Sequence, residues 1–321
     1  MTEAGPLVVV FDPIPGDWTF EPERSILGAR GVDLVVPESP AEADEAIRCA
    51  DVVVVTGIRR LDAKRVASLQ DPAGILCYSI GMDKVDPSAG EAGISVRNVP
   101  DYCTDEVSDH ALALLLAAGR RLVPIANLTA AKWKLSDRSP LAPIRRLRGQ
   151  TLGIVGAGRV GRLVARKARA FGYRTIAHDP LLADAGDPEL ELLPFEMLLR
   201  RADAIVLCAA LTTGSRGLIG PEALARVKPG LVLVNVARGG LIDEHALAEA
   251  LGDGRVGYAA LDVRDPEPPD PANDPLAGLP NVLQTPHMAA TSREAAEDLH
   301  RLAAQYILEM LESAGRTSAV A

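Results

Sequence analysis

Residues 151–179 read TLGIVGAGRVGRLVARKARAFGYRTIAHD, and no other stretch of the chain limits its fold as tightly. An apolar run ends in Gly156-Ala157-Gly158-Arg159-Val160-Gly161, a GxGxxG pattern. A helical segment follows, then a second apolar run that stops at Asp179. Glycines at strand exits are common, so the pattern alone says little. Its setting says more: strand, tight turn, helix, strand and terminal acid are the parts of a dinucleotide-binding βαβ unit. Gly156 permits the turn, Gly158 lets backbone approach a pyrophosphate, and Gly161 allows close helix–strand contact. The amides that open the helix, those of Arg159 and Val160 among them, offer the phosphates the positive end of its dipole. Asp179 can accept hydrogen bonds from ribose hydroxyls and would repel a 2′-phosphate, and the following PLLADAGD holds no Arg or Lys to offset that repulsion. The expected cofactor is therefore NAD(H) in preference to NADP(H). A strand-end turn role for Asp179 is the competing reading.

Around this unit, short β-rich runs alternate with helical patterns along the whole chain. LVVVFD (7–12), VDLVV (32–36), DVVVVTG (51–57), ILCYSI (75–80) and ISVRNV (94–99) form a first series. TLGIVG (151–156), RTIAHD (174–179), AIVLCA (204–209), LVLVNVA (231–237), GYAALDV (257–263) and NVLQTPH (281–287) form a second. Near-continuous apolar strands with intervening helices predict α/β architecture with two doubly wound parallel sheets. A long helix is predicted over 103–122 and another over about 292–313, the latter opened by a Thr291/Glu294 capping box. Residues 134–150 read as a polar linker and 315–321 as a loose tail.

The length of 321 residues suits about two domains. With 48% apolar but only 3% aromatic residues, Ala, Val and Leu must fill the cores. A net charge of −9 argues against broad nucleic-acid or anionic-membrane binding. Cys49, Cys77, Cys103 and Cys208 stand singly and read as small buried hydrophobes, not as a metal site or a disulfide frame. No stretch has the make-up of a signal peptide or a membrane span, which makes a cytoplasmic protein the expectation.

Three residues of the second series stand where open α/β sheets bind ligands, at the carboxyl ends of strands. Arg238 follows LVLVNVA, Glu267 lies just past the strand holding Asp262, and His287 closes NVLQTPH. Singly, each has a plain explanation: a charge before a glycine turn, a solvated acid, a polar group ahead of a helix cap. Together beside a nicotinamide they would suffice for chemistry at a 2-hydroxy acid. Histidine, with a reference pKa of about 6.5, can take or return the hydroxyl proton while hydride moves between C2 and the ring. A carboxylate (Glu267) fixes the imidazole tautomer, and a planar guanidinium (Arg238) binds the substrate carboxylate.

These segments resemble the D-isomer-specific 2-hydroxyacid dehydrogenase family over nearly the whole chain, through YSIGMDKVD (78–86), NVPDYCTDEVSDHALALLL (98–116), TLGIVGAGRVG, VNVARGGLIDEHALAEAL (234–251), ALDVRDPEPP (260–269) and TPHMAATS (285–292). The resemblance implies that Arg238, Glu267 and His287 are catalytic. It also implies that backbone amides of Ser79-Ile80-Gly81 hold the substrate carboxylate. Asp262 would face the nicotinamide amide, and Val107, Thr212, Val236 and Ala237 would line the cofactor cleft. By the same resemblance, a Rossmann NAD domain (102–288) is inserted in a flavodoxin-like substrate domain (1–101 and 289–321), the domains close over substrate, and the protein is a homodimer. Details look nearest the phosphoglycerate dehydrogenase-like and C-terminal-binding-protein-like branch. An NAD(H)-sensing, corepressor-like binding protein with little turnover is therefore the alternative reading. The corepressors carry a Trp shortly after the histidine, however, whereas this chain reads His287-Met288-Ala289-Ala290. The loop lysine of phosphite-oxidising relatives is Ile80 here, and the family's Pro before LT is Ala210.

Other polar residues have less to recommend them. His110 reads as structural, His178 as a packing residue or a flank for the adenosine, and His245 as a surface residue. Arg59 and Arg60 could meet an anionic substrate tail but read better as a solvated loop. Trp133 suits either a cover over an active site or an interface.

Overall fold

Val8 and Val10 of the first strand belong to one apolar cluster and Val9 to another, and all three are fully buried. A strand pleat sends successive side chains to opposite faces, so a run such as LVVV is stable only where both faces are covered. The computed structural model describes residues 5–14, 18–126 and 144–317. It divides into one unit of Met1–Cys103 with Ser292–Ala321 and a second of Thr104–Thr291.

In the first unit, strands β1 (Leu7–Val10), β2 (Asp33–Val35), β3 (Val52–Val55), β4 (Gly74–Cys77) and β5 (Val96–Asn98) form a parallel sheet in the order β2-β1-β3-β4-β5. This is the flavodoxin-like order. Val52 and Val54 join the cluster of Val8 and Val10, while Val53 and Val55 join that of Val9. Helix α1 (Glu21–Gly28) and the C-terminal helix Arg293–Ser313 cover the first face through Leu27, Leu299 and Ile307. Short helices α2 (Pro40–Ala46), α3 (Ala63–Val66) and α4 (Ser88–Glu91) lie on the chain between the strands. Ala43, Val66 and Ala89 carry the second cluster.

The second unit opens with α5 (Thr104–Gly119) and α6 (Leu122–Ala126). The predicted single helix is broken at Arg121, which takes φ 54°. Its guanidinium donates to the Gly257 carbonyl at 2.8 Å and lies over the Tyr258 ring, holding the break in place. Strands β6 (Thr151–Val155), β7 (Arg174–His178), β8 (Glu191–Leu192), β9 (Ala204–Leu207), β10 (Leu231–Asn235), β11 (Val256–Leu261) and β12 (Val282–Gln284) form a parallel sheet ordered β12-β11-β10-β9-β6-β7-β8. Helices α7 (Arg159–Arg169), α8 (Phe195–Arg201), α9 (Pro221–Leu224) and α10 (Glu244–Gly252) join them. Read from β6, this is the dinucleotide-fold order with one added strand. The added strand is β12 at the far edge; β8 takes the third place of that order, and at two residues it has no apolar run to announce it in the sequence.

Four expectations change in detail. The final helix, α11 (Arg293–Ser313), is capped by Ser292, not Thr291: the Ser292 hydroxyl accepts from the Ala295 amide at 2.8 Å. The tail is anchored at its start, where Arg316 pairs with Asp51 and, at 2.9 Å, with Asp71. Within the expected linker, Arg145 bonds the Asp203 carboxylate at 3.0 Å. Cys77 and Cys103 are buried, but Cys49 is exposed. Among the described residues, no helix is long and apolar enough to cross a membrane.

Candidate active site

At the β6 exit, Gly156 takes φ 92° and its amide donates to the His178 carbonyl at 2.9 Å. A side chain there would also lie 2.6 Å from the Ala209 amide nitrogen, so both conformation and proximity demand glycine. Gly158 caps α7 with no side-chain hydrogen bond, and nothing lies within 4 Å of where its Cβ would be. Uncapped amides opening onto free space suit a dinucleotide pyrophosphate. At Gly161 a Cβ would run into the Gly156 carbonyl. Asp179 accepts from the Ala157 amide and from the Leu181 amide, each at 3.0 Å. The glycine loop thus orients the acid expected at the ribose. Arg159 is exposed and Val160 half-buried at the start of α7. Val107 and Val236 are buried, the Ala237 amide donates to Asn235, and exposed Thr212 bonds Ser215.

The structure brings His287 and Glu267 together. Imidazole Nδ1 and Glu267 Oε2 are 2.7 Å apart, and the Arg264 amide donates to Glu267 Oε1 at 2.9 Å. Burial alone would raise the Glu267 carboxyl. The hydrogen bonds from His287 and the Arg264 amide, with the charge of Arg238, instead hold it below the ordinary carboxylate value. A lowered carboxylate pKa means that the stabilising contact is present above the ordinary value and lost as pH falls through the lowered one. Near neutrality the acid is ionised. Nε2 of His287 has no partner among the described residues. An imidazole held by a carboxylate at one nitrogen and open at the other is equipped to exchange a proton with a ligand.

His287 stands at φ 51°, a left-handed conformation unusual for a residue with a side chain. The chain around it is held by Asp262, which is 1% exposed. Its carboxylate accepts from Thr285 Oγ1 at 2.5 Å, the Met288 amide at 3.0 Å and the Ala289 amide at 2.9 Å. Its carbonyl takes the His287 amide at 2.8 Å. Asp262, expected to face a nicotinamide, is thus also the anchor of the His287 turn. His110 adds to that anchor, with Nε2 3.0 Å from Thr285 Oγ1.

Three further residues shape this edge and were not singled out from the sequence. Asn235, fully buried at the end of β10, bonds the Arg238 carbonyl and the Ala237 amide and so shapes the loop of Arg238. A polar residue inside LVLVNVA was the available signal. A Cβ on Gly239 would strike the Arg264–Asp265 backbone, so this glycine admits the loop bearing Glu267 against the loop bearing Arg238. Arg264 itself is 6% exposed. The charge immediately after ALDV was its signal.

In the first unit, the Ser79, Ile80 and Gly81 carbonyls accept from the Val99 amide, Asn98 Nδ2 and Ser79 Oγ. The Ile80 and Gly81 amides have no partner among the described residues. Arg59 is tied to Asp44 at 2.8 Å and lies over Phe11, while Arg60 pairs with Asp86 at 3.2 Å. Each guanidinium therefore has a carboxylate partner within its own unit, although Arg59 shares Asp44 with Arg65. His300, also overlooked, joins buried Glu23 at 2.6 Å and Tyr78, tying α11 to α1 and β4. His178 Nδ1 donates to the Leu193 carbonyl at 3.0 Å and its ring packs on Phe195, and His245 is exposed. Trp133 lies outside the described residues.

Residues 112–289, over half of the chain, match the model of the D-isomer specific 2-hydroxyacid dehydrogenase NAD binding domain. A D-3-phosphoglycerate dehydrogenase of Mycobacterium leprae is 39% identical over 89% of this chain and 51% of its own length. A glycerate dehydrogenase of Methylorubrum extorquens is 36% identical over 81% of this chain and 82% of its own. The crystal structure of the TT0316 protein of Thermus thermophilus superposes with a TM-score of 0.80 at 35% identity, covering 96% of this chain and 97% of that one. The chain thus spans about half the length of the phosphoglycerate dehydrogenases it matches.

Proposed function

This chain belongs to the D-isomer specific 2-hydroxyacid dehydrogenase family, and on that footing we propose that it interconverts a small D-2-hydroxy acid and its 2-keto acid with NAD(H). The observation that carries the reading is the 2.7 Å contact of His287 Nδ1 with Glu267, held under the charge of Arg238. Nicotinamide, when bound, supplies or accepts the hydride. His287 delivers or withdraws the proton at the C2 oxygen through Nε2, and Glu267 keeps the ring in the tautomer that allows it and stabilises the imidazolium. Arg238 grips the substrate carboxylate and polarises the neighbouring carbonyl. Within the first unit, the loop Ser79-Ile80-Gly81 is proposed as a binder of carboxylate through its backbone amides.

Reduction of a panel of 2-keto acids, followed by loss of NADH absorbance, tests the proposal. It should include glyoxylate, hydroxypyruvate, pyruvate, branched-chain and phosphorylated acids. At least one should be turned over, and inactivity toward all of them would remove the enzyme reading. Because Arg59 and Arg60 are each paired with an aspartate, neither is offered as the anchor of a phosphorylated tail.

Preference for NAD over NADP rests on Asp179, whose carboxylate is aimed by the Ala157 amide. A charge-assisted hydrogen bond of about 1.5–3 kcal/mol corresponds to roughly 10- to 100-fold in affinity. Asp179→Asn keeps an acceptor for Ala157 but loses the negative charge, and its NAD-to-NADP ratio of kcat/KM should fall by about that factor. An unchanged ratio would count against the ribose role. The homodimer is proposed from the same family reading. Its support is the short helix α6, on which Leu122 (52%), Val123 (38%) and Ile125 (37%) are exposed. A monomer mass by analytical ultracentrifugation would remove that proposal.

A further inference from the structure

Arg264 makes four side-chain hydrogen bonds, from four of the five N–H groups a guanidinium possesses. Nε and Nη2 form a two-pronged contact with Glu244, each at 2.8 Å. Nη2 also bonds Asp274 at 2.6 Å, and Nη1 bonds Gln284 Oε1 at 2.6 Å. The Arg264 side chain is 5% exposed, and those of Glu244 and Asp274 are 12% exposed.

The placement of these partners gives the cluster its meaning. Glu244 begins α10, six residues beyond Arg238. Asp274 follows Glu267 on the β11 loop. Gln284 ends β12, three residues before His287. Arg264 itself lies three residues before Glu267 and presents its amide to Glu267 Oε1 at 2.9 Å. One buried cation therefore ties together the segments that carry all three reactive groups.

Resting on the reading proposed above, we propose that Arg264 is a positioning residue for the His287–Glu267 pair: its guanidinium sets the spacing of the β10, β11 and β12 exits, and its amide aims the Glu267 carboxylate. It touches neither substrate nor cofactor. Its effect is exerted through Glu267 on the basicity and orientation of His287. Lysine cannot replace it, because an ammonium is a compact charge that cannot span three acceptors in one plane.

The experiment compares wild type, Arg264→Lys, Gln284→Leu and Glu267→Gln in the full chain. The readouts are thermal midpoint, NADH binding, the pH profile of kcat/KM, and the His287 ring titration by NMR of the imidazole carbons. Arg264→Lys is expected to bind NADH nearly normally and to lose about ten- to a hundredfold in kcat/KM, as misplaced catalytic groups do. Its His287 titration midpoint should move down toward that of Glu267→Gln. Gln284→Leu removes one bond to a neutral acceptor and leaves the ion pairs, so it should shift the titration the same way by less, and it carries the test if the lysine variant does not fold. A wild-type titration and pH profile in the folded variants would overturn the inference, leaving Arg264 a stabilising ion pair only. The ring titration needs no turnover, so a protein inactive on every 2-keto acid would defeat the functional reading while still deciding the role of Arg264.

Discussion

Replacement of His287 by asparagine is expected to lower 2-keto acid reduction by about a thousandfold while NADH affinity stays nearly unchanged, as removal of a general acid–base group typically does. The two readouts separate because the groups that would hold the nucleotide belong to other segments. Gly158 and the α7 amides follow β6, and Asp179 follows β7. Asparagine is a better probe than alanine for a backbone reason. His287 has φ 51°, where asparagine is tolerated far more readily than most residues with a Cβ. Alanine would add backbone strain to the loss of the ring, and the Asp262-held turn could shift with it. With asparagine the turn is kept and only the proton carrier goes. Steady-state kinetics and a fluorescence titration of NADH would decide. Turnover at the wild-type rate would refute the catalytic assignment and favour a protein that binds NAD(H) without using it for this chemistry.

How much of this was legible in the sequence depends on what each residue's neighbours are. Strands such as VVVV (52–55) and AIVL (204–207) announce themselves because burial on both faces demands an unbroken apolar run. The glycine loop is legible because its demands are mostly local: Gly156 takes φ 92°, and a Cβ on Gly161 would strike the Gly156 carbonyl. Strand β8 is not, since two residues at a sheet edge need no apolar pattern. The choice of Ser292 over Thr291 as cap turns on one residue's extended backbone, which a capping motif locates only to within a position or so. Arg264, Asn235 and His300 were missed for a common reason. Each acts through partners far away in sequence, such as Glu244 for Arg264 and Glu23 for His300, and a linear pattern does not display such pairs. The candidate trio could be picked out because parallel strands deliver their carboxyl ends to one edge whatever lies between them. Its supporting shell was not, because that depends on how the loops fold back.

Arg238→Lys is expected to reduce kcat/KM for 2-keto acids by about ten- to a hundredfold, with KM raised and kcat lowered, as loss of one charge-assisted bond of about 1.5–3 kcal/mol implies. The guanidinium is already oriented: its Nη1 donates to the Ala237 carbonyl at 2.8 Å, and Asn235 fixes the loop beneath it through the Arg238 carbonyl at 2.9 Å. Lysine keeps the positive charge, so the Coulombic help that Arg238 gives the Glu267 carboxylate survives in this variant. What it loses is the planar fork that can hold a carboxylate with two parallel bonds. Comparison with Arg238→Gln then divides geometry from charge. The glutamine variant should show the larger loss, and its kcat/KM pH profile should also shift, because Glu267 loses one of the influences that keep it ionised. Both changes are measured in the same assay with the best substrate from the 2-keto acid panel. A lysine variant with wild-type KM and kcat would mean that the substrate carboxylate is held by other groups, and would leave Arg238 with a purely electrostatic role toward Glu267.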